Sequence, residues 1–450
     1  MNAYDGNGKV VELSTIVDAT LTKAGSPADA KSVGDKFTEL VGISIVEPAD
    51  NDVPRVFFNG ALPTTKNQGK VKLKVEYHSR TKSIIEWCTL KVQGDTSTWY
   101  PKKNFNIQMY KDEALTDKDK HNFRGWGRTS KFCLKANWID HLHARNVVNA
   151  KLYGQMCRTR ADWLDYPQAF RESPNCACID GFPVMVYANG VYQGLYTWNI
   201  AKDDFMSNMD DENTTDCMLI ADSSDAPGVL FSGASLIDGT DWTDELHDEV
   251  PQWVHDSWNA AQAFVRNSSD ADFVAGIENY FYLSSLIDRY IFNLVFLYIG
   301  GYAKSQAYYT YDGVKWMSSM YDLDTAWALR WDGSGYHATN LPMADYTYDN
   351  PGDERRLVNT LLSKVERLFP AQIKARYAAL RADVLTAGNI LWHFEHFIDP
   401  IEARLPEDYA ETTAGGAFVD IPLTSTNNVQ KLRQVVTERL AYSDSFINTL

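Results

Sequence analysis

This 450-residue chain has no apolar stretch long enough to cross a bilayer. Its most apolar run, Leu286 to Gly301, carries Asp288, Arg289 and Asn293 and reads as a buried helix, so membrane insertion is not expected. An excess of positive charge is also lacking. Lys and Arg number 43 against 59 Asp and Glu, a formal charge of -16, whereas nucleic-acid binding draws on clustered cations. Nucleic acid is therefore not an expected partner. Cysteine is scarce: the six, at 88, 133, 157, 176, 178 and 217, form no disulfide framework, and several sit inside apolar runs such as Phe132-Cys-Leu134. Cys176 and Cys178 are too closely spaced for a zinc knuckle and lack a second pair, so reduced, buried thiols are expected. The opening Met-Asn-Ala-Tyr-Asp-Gly-Asn-Gly has neither a basic start nor an apolar core, and no secretory signal is expected from it. Internal repeats are absent.

What is present suits a large folded core. Apolar residues make up 44% and aromatic residues 13% of the chain, enough for more than one domain without covalent staples. The 13 Trp and 24 Tyr are read as core packing. Near the N-terminus Ser26 can cap and Pro27 can open a helix that runs to about Leu40, with Gly42 to end it. Ala30, Val33, Phe37 and Leu40 fall at steps of three, four and three, a narrow stripe suited to a seam between subunits. From Gly42 to Ile85 the pattern alternates, as in Val71-Lys-Leu-Lys-Val-Glu-Tyr77, and predicts strands; Trp87 to Gln93 and Asn104 to Tyr110 continue it. Residues 203–250 are acidic and Ser/Gly-rich and are expected to form a surface insertion or lid. Helical periods dominate beyond, over Trp253–Phe264, Phe273–Ile299, Leu357–Leu380 and Val429–Leu450.

The most informative stretch for chemistry is Lys315-Trp-Met-Ser-Ser-Met-Tyr-Asp-Leu-Asp324-Thr-Ala-Trp. Two carboxylates two residues apart on an extended backbone would point the same way, and paired hard oxygens suit Mg²⁺ or Mn²⁺ bound to a nucleotide phosphate. Asp322 and Asp324 are thus the candidate metal ligands. His141 and His143 flank Leu142 with no third ligand near in sequence, so metal is not expected there.

Four blocks give this chain a family resemblance. They are Gly94-Asp-Thr-Ser-Thr-Trp-Tyr-Pro-Lys-Lys103-Asn-Phe-Asn-Ile107, Leu134-Lys-Ala-Asn137-Trp-Ile-Asp140-His-Leu-His-Ala-Arg145-Asn146, Val186-Tyr-Ala-Asn-Gly190-Val-Tyr-Gln-Gly194-Leu-Tyr196, and Tyr-Asp-Leu-Asp itself. In content, order and spacing they resemble the spore-coat CotH family of atypical, secretory-type protein kinases. The resemblance implies an α+β, two-lobed atypical protein-kinase-like fold, with a β-rich N-lobe and a mostly helical C-lobe. A small β region at 43–85 would lead into a CotH-like domain at 86–450. It also implies ATP with Mg²⁺ or Mn²⁺ as cofactor. Lys103, expected on one strand face with Phe105 and Ile107, matches the family's strand lysine. Arg145 and Asn146, one turn beyond a capping Asp140, and Lys202 are further candidate nucleotide contacts.

One departure bears on catalysis. Aligned on Lys304 and on Asp312-Gly313, Gly300 falls where the family has its catalytic aspartate and Ser305 where it has a metal-binding asparagine. Asp288 and Asn293 have the five-residue offset of a kinase catalytic loop, but within a helical run they would not share one active face. Whether the chain is an enzyme is thus left open, with a pseudokinase and an active Ser/Thr protein kinase as the two readings. Separately, Thr20 to Gly42 resembles a short module near the N-termini of bacteriophage tail and baseplate proteins. That likeness implies a virion protein, made in the host cytoplasm, with residues 1–42 as an attachment segment. Its partners would be other tail or baseplate proteins and further copies of the chain, joined through the N-terminal helix.

Overall fold

Alternating apolar residues along 55–110 curl the first half of the chain into a closed barrel in the computed structural model. The described residues are 53–342 (without 211 and 224), 346–347, 356–413 and 427–450, with a two-residue strand pair, Ala3–Tyr4 and Val10–Val11. The helix expected over 27–40 lies outside them. Seven strands build the barrel: β1 (Arg55–Asn59), β2 (Val71–His78), β3 (Ser83–Gln93), β4 (Asn104–Tyr110), β5 (Lys131–Lys135), β6 (Gly181–Ala188) and β7 (Val191–Ile200). They run in the order β1-β2-β3-β4-β5-β7-β6, closed by a parallel pairing of β1 with β6. The barrel passes without a break through residue 85, which lies inside β3.

Inward residues are large and apolar, among them Val56, Phe58, Val75, Leu90, Phe105, Ile107 and Trp198. The outward residues of β4, Asn104, Asn106 and Gln108, are polar, as period-two alternation requires. The β6–β7 turn is Asn189-Gly190, both with positive φ (49° and 80°), the conformation a two-residue hairpin needs and the reason for glycine there. Asn189 Oδ1 also accepts a hydrogen bond from the Gly60 amide at 2.8 Å, fixing the hairpin to β1.

A second sheet is fully antiparallel, in the order β9 (Trp242–Asp244), β8 (Cys217–Ala221), β10 (Gln306–Thr310), β11 (Met317–Met320). Residues 203–250 are thus not a surface insertion. They supply two of these four strands, and Val229, Phe231 and Trp242 are buried in an aromatic core with Trp258 and Tyr308. Acidic and Ser/Gly-rich composition described the loops of this segment and hid its strands.

Helices cover this sheet and one end of the barrel: α1 (Arg145–Arg158), α2 (Gln252–Asn267), α3 (Leu283–Phe296), α4 (Thr360–Leu368), α5 (Pro370–Arg381), α6 (Ala387–Ile398), α7 (Leu405–Thr413) and α8 (Val429–Thr449). Two expected long helices are divided. The run from Leu357 breaks at Pro370, which lacks the N–H to continue α4 and opens α5 instead. The run from Phe273 breaks at 280–282, where the backbone pairs with Trp316: the Tyr282 amide donates to its carbonyl and Tyr280 accepts from its amide. Helix α3 is buried almost throughout. Its Asp288 is not part of any active face, because Arg160 and Arg376 hold its carboxylate at 2.6 and 2.7 Å.

The barrel is tied to the C-terminal helices by one buried charge cluster. Asp408 on α7 accepts from the Lys102 ammonium (2.7 Å), His143 Nε2 (2.8 Å) and the Leu195 amide (2.7 Å). A Cβ at residue 194 would lie 2.4 Å from the Asp408 carboxylate and 2.8 Å from the Lys102 nitrogen, so only glycine lets the pair reach β7. Burial opposes ionisation of Asp408, but Lys102 and His143 outweigh it and hold the carboxyl well below the usual range. A carboxyl depressed in this way stabilises the fold above its unfolded pKa, about 4. That contribution fades as pH falls through the folded value. Asp408→Asn, which strands two buried partners, is expected to cost about 3–5 kcal/mol at neutral pH. Denaturant titrations should show the gap from wild type narrowing below about pH 4.

Candidate functional site

A cleft of 1360 Å³ lies between the polar outer face of β3–β5 and the edge of the second sheet. Into it project Asp322 and Asp324 from the segment after β11, with Lys135, Lys202, Asp203 and Asp222 around them. The Gly94–Ser97 turn forms one rim. Gly94 has φ 105°, and a Cβ there would fall 1.9 Å from Ser97 Oγ, so the turn demands glycine. Such a volume exceeds the roughly 300–1,000 Å³ of ordinary small-molecule sites.

The two aspartates do not sit on an extended backbone as the sequence suggested. Asp322 is left-handed (φ 60°, ψ 56°) and Leu323–Thr325 is a single 3₁₀ turn. That conformation is unfavourable for a non-glycine residue, by about 1–3 kcal/mol, and persists only where neighbours over-determine it. Here helix α1 does so. Asn146 Oδ1 accepts from the Leu323 amide at 3.0 Å, and Asn149 Nδ2 donates to the Leu323 carbonyl at 3.3 Å. Asn149 Oδ1 accepts from the Trp327 indole at 2.9 Å, and the Arg145 Nε donates to the Ala326 carbonyl at 3.1 Å. From α3's end the Tyr298 hydroxyl donates to the Tyr321 carbonyl and, at 3.1 Å, the Asp322 carbonyl.

This geometry revises two expected nucleotide contacts. Arg145 is fully buried, its guanidinium consumed by Asp140, Asn427 (2.8 Å), Tyr336 (3.3 Å) and Ala326; it cannot extend to a ligand. Asn146 lines the cleft, but its side-chain oxygen holds the backbone of the aspartate segment. Arg145 is thus a positioning residue, and Asn146 holds the aspartate segment from within the cleft. Asp140 caps the start of α1 as expected, accepting from the amides of Ala144 and Arg145 at 2.9 and 2.7 Å.

Lys103 also lies elsewhere than expected. Strand β4 begins only at Asn104, and the Lys103 ammonium is taken by the carbonyls of Thr98 (2.7 Å) and Tyr100 in the preceding turn. Lys102 is the buried one of the pair, committed to Asp408. The cation acting most strongly on Asp324 is Lys135, at the end of β5, and among the described residues it has no ion-pair partner. Sequence reasoning quoted its block yet passed over it, although Leu134-Lys-Ala carries the same inward-outward alternation as β4. Lys202 does line the cleft. It pairs with Glu245 and lies 4.5 Å from the Tyr321 ring centre. Burial lowers its pKa, but Tyr321 and Glu245 raise it further, so the ammonium stays charged.

The carboxylates are under electrostatic pressure. Burial first, then Asp322 and Asp140, push the Asp324 carboxyl well above the usual range, against the pull of Lys135 and Arg145. A dication placed between two such groups would relieve that repulsion, so the pair fits Mg²⁺ or Mn²⁺. Burial, with Asp204, also raises Asp203 to about 6 despite its contact with Lys131 at 3.2 Å. Gly300 and Ser305 both face the cleft and each other, and a Cβ on Gly300 would lie 3.0 Å from Ser305 Oγ. The two positions are therefore spatially coupled, the small residue at 300 making room for the hydroxyl at 305.

A family model described as CotH kinase protein matches residues 90–443, most of the chain. No curated protein matches it.

Two measurements check this account of the site. Asn146→Ala leaves the Leu323 amide without its acceptor and is expected to cost about 1–3 kcal/mol in thermal or denaturant unfolding. Mn²⁺ affinity, read by electron paramagnetic resonance, should rise about tenfold per pH unit while Asp324 must first release its proton, then level off. A flat profile would remove Asp324 from the ligand set.

Proposed function

Since the chain belongs to the CotH kinase protein family, we propose that it is a bacteriophage tail or baseplate protein whose two-lobed, kinase-like domain binds ATP with Mg²⁺ or Mn²⁺. One observation carries the binding reading: Asp322 and Asp324 repel each other in the same cleft that holds Lys135 and Lys202. In phosphoryl-transfer sites the metal neutralises phosphate charge while a lysine contacts the phosphates. In this chain the two aspartates would hold the ion. Lys135 and Lys202 would meet the phosphates, Lys202 steadied by Glu245 as kinase lysines are steadied by a glutamate. The barrel is the β-rich N-lobe of this reading, and the helices around α3 are its C-lobe. What supports the virion assignment is the likeness of Thr20–Gly42 to tail and baseplate attachment modules, together with the narrow stripe Ala30, Val33, Phe37, Leu40.

A general base adds about 10²–10⁴ to a rate, so glycine at position 300 favours binding with little turnover. The second reading, an active Ser/Thr protein kinase that modifies a partner or surface protein, draws on Asp203. Its pKa of about 6, in the cleft, suits a base near neutral pH.

Mg²⁺ with ATP, at about 100 times the dissociation constant, is expected to stabilise the chain by about 2.7 kcal/mol. The thermal shift should vanish in an Asp322→Ala, Asp324→Ala double variant that still folds. Absence of a shift in the wild type would end the nucleotide reading. Transfer of labelled phosphate to the chain itself or to a casein-like acceptor, rising through pH 6 and lost in Asp203→Asn, would establish the second reading. By light scattering, the full chain should be an oligomer and the chain without residues 1–42 a monomer.

A further inference from the structure

Behind Glu245, on the far side of the second sheet's edge from the aspartate pair, three ligand-type side chains meet. Cys217 opens β8, Asp244 closes β9, and His247 follows three residues later. Their ligand atoms all lie within 4.8 Å of one another. Cys217 is fully buried, Asp244 is 8% exposed, and the His247 side chain is 10% exposed. We propose that Cys217, Asp244 and His247 form a binding site for one soft divalent cation of the zinc class, with a water as fourth ligand.

The donor set argues for that class. One sulfur, one imidazole nitrogen and one carboxylate oxygen match zinc, whereas Mg²⁺ and Ca²⁺ require oxygen throughout. Charge agrees. Binding releases the thiol proton to solvent, and thiolate plus carboxylate then balance a dication. The charged groups acting most strongly on Cys217 are Asp244 and Asp216, both acidic. The Asp244 carboxylate is already aimed. Its Oδ1 accepts from the amides of Leu246 (2.9 Å) and His247 (3.3 Å), while its Oδ2 shares a 2.7 Å hydrogen bond with His247 Nδ1 that a bound ion would replace. Such backbone support behind a ligand is what fixes metal sites in place.

A comparable cluster on the barrel, Glu86, Asp119 and His121, lacks this balance. Lys82 stands by its two carboxylates and Lys111 by Asp119, supplying the positive charge a metal would bring. The difference in local charge is why the inference rests on Cys217 and not on Glu86.

The location gives the ion a task. The Glu245 amide donates to the Met218 carbonyl at 2.9 Å, continuing the β8–β9 ladder, and its side chain pairs with Lys202 in the cleft. An ion joining the start of β8 to residues 244 and 247 would pin the segment that presents Glu245.

Cobalt(II), which takes zinc sites and reports sulfur ligation by near-ultraviolet thiolate-to-metal absorption, tests this on the reduced, metal-stripped full chain. Absorption saturating at one ion per chain is expected, bleached by added zinc and absent in Cys217→Ser. His247→Ala, at a less buried position, should weaken binding by about tenfold or more, as even changes behind metal ligands do. His121→Ala should leave the spectrum unchanged. A wild-type protein without the sulfur band, or a band that survives Cys217→Ser, would overturn the site.

Discussion

The left-handed backbone at Asp322 is the constraint on which the cleft depends. A strand leaving β11 in extended conformation would carry its two carboxylates past the barrel face. The turn at Asp322 instead brings both into the space beneath β4 and β5. Helix α1 maintains that turn through polar side chains of its first two turns, Arg145, Asn146 and Asn149. Each satisfies backbone groups that a buried, irregular segment would otherwise leave unpaired. Asp140 in turn fixes both the start of α1 and the guanidinium of Arg145. The polar block around Asn137–Asn146 is thus a scaffold for acidic groups that lie about 180 residues later in sequence.

Buried charge does the long-range fastening elsewhere. Asp408 joins the turn before β4, the strand β7 and the entrance to α1, over separations as large as 306 residues. Asp288 does the same between the end of α1, α3 and α5. Such clusters are costly to desolvate, and removing one member leaves the others stranded. They therefore specify one arrangement of barrel and helices more sharply than apolar packing alone, which tolerates exchange among residues of similar size.

The legible part of the sequence was the part governed by local rules. Alternation located β2, β3 and β4, the Asn-Gly pair located the β6–β7 hairpin, and helical period located α2 and α8 almost to their ends. The Asp-Leu-Asp pair stood out because paired hard oxygens suit a phosphate-bound divalent cation, a rule of local chemistry. Lysine assignment failed for a local reason with a distant cause. Lys102 and Lys103 are equivalent by pattern, and what separates them is Asp408, which no spacing rule connects to either. Arg145 and Asn146 were read as nucleotide contacts, whereas the partners the structure gives them include a carbonyl and an amide, invisible in any side-chain motif. Strands β8 and β9 escaped because each is short and set among turn-forming residues.

Gly300 and Ser305 bring these threads together. The Ser305 side chain and the Tyr298 ring stand nearest to any side chain at position 300, and hydrogen bonds to carbonyls shape the backbone around them: Tyr298 donates to Tyr321 and Asp322, and the Ser305 amide donates to the Gly300 carbonyl. An added carboxylate at position 300 would stand in a cleft that already holds Asp322 and a hard-to-ionise Asp324. It would also meet Ser305 at 3.0 Å from its first carbon. Crowding and like charge therefore both oppose a carboxylate at position 300. The Gly–Ser pair, the acidic couplet and the helix that holds it form one mutually adjusted unit. The residues that hold the segment of Asp322 and Asp324 are Asn146, Asn149 and Tyr298, and neither Gly300 nor Ser305 is among them.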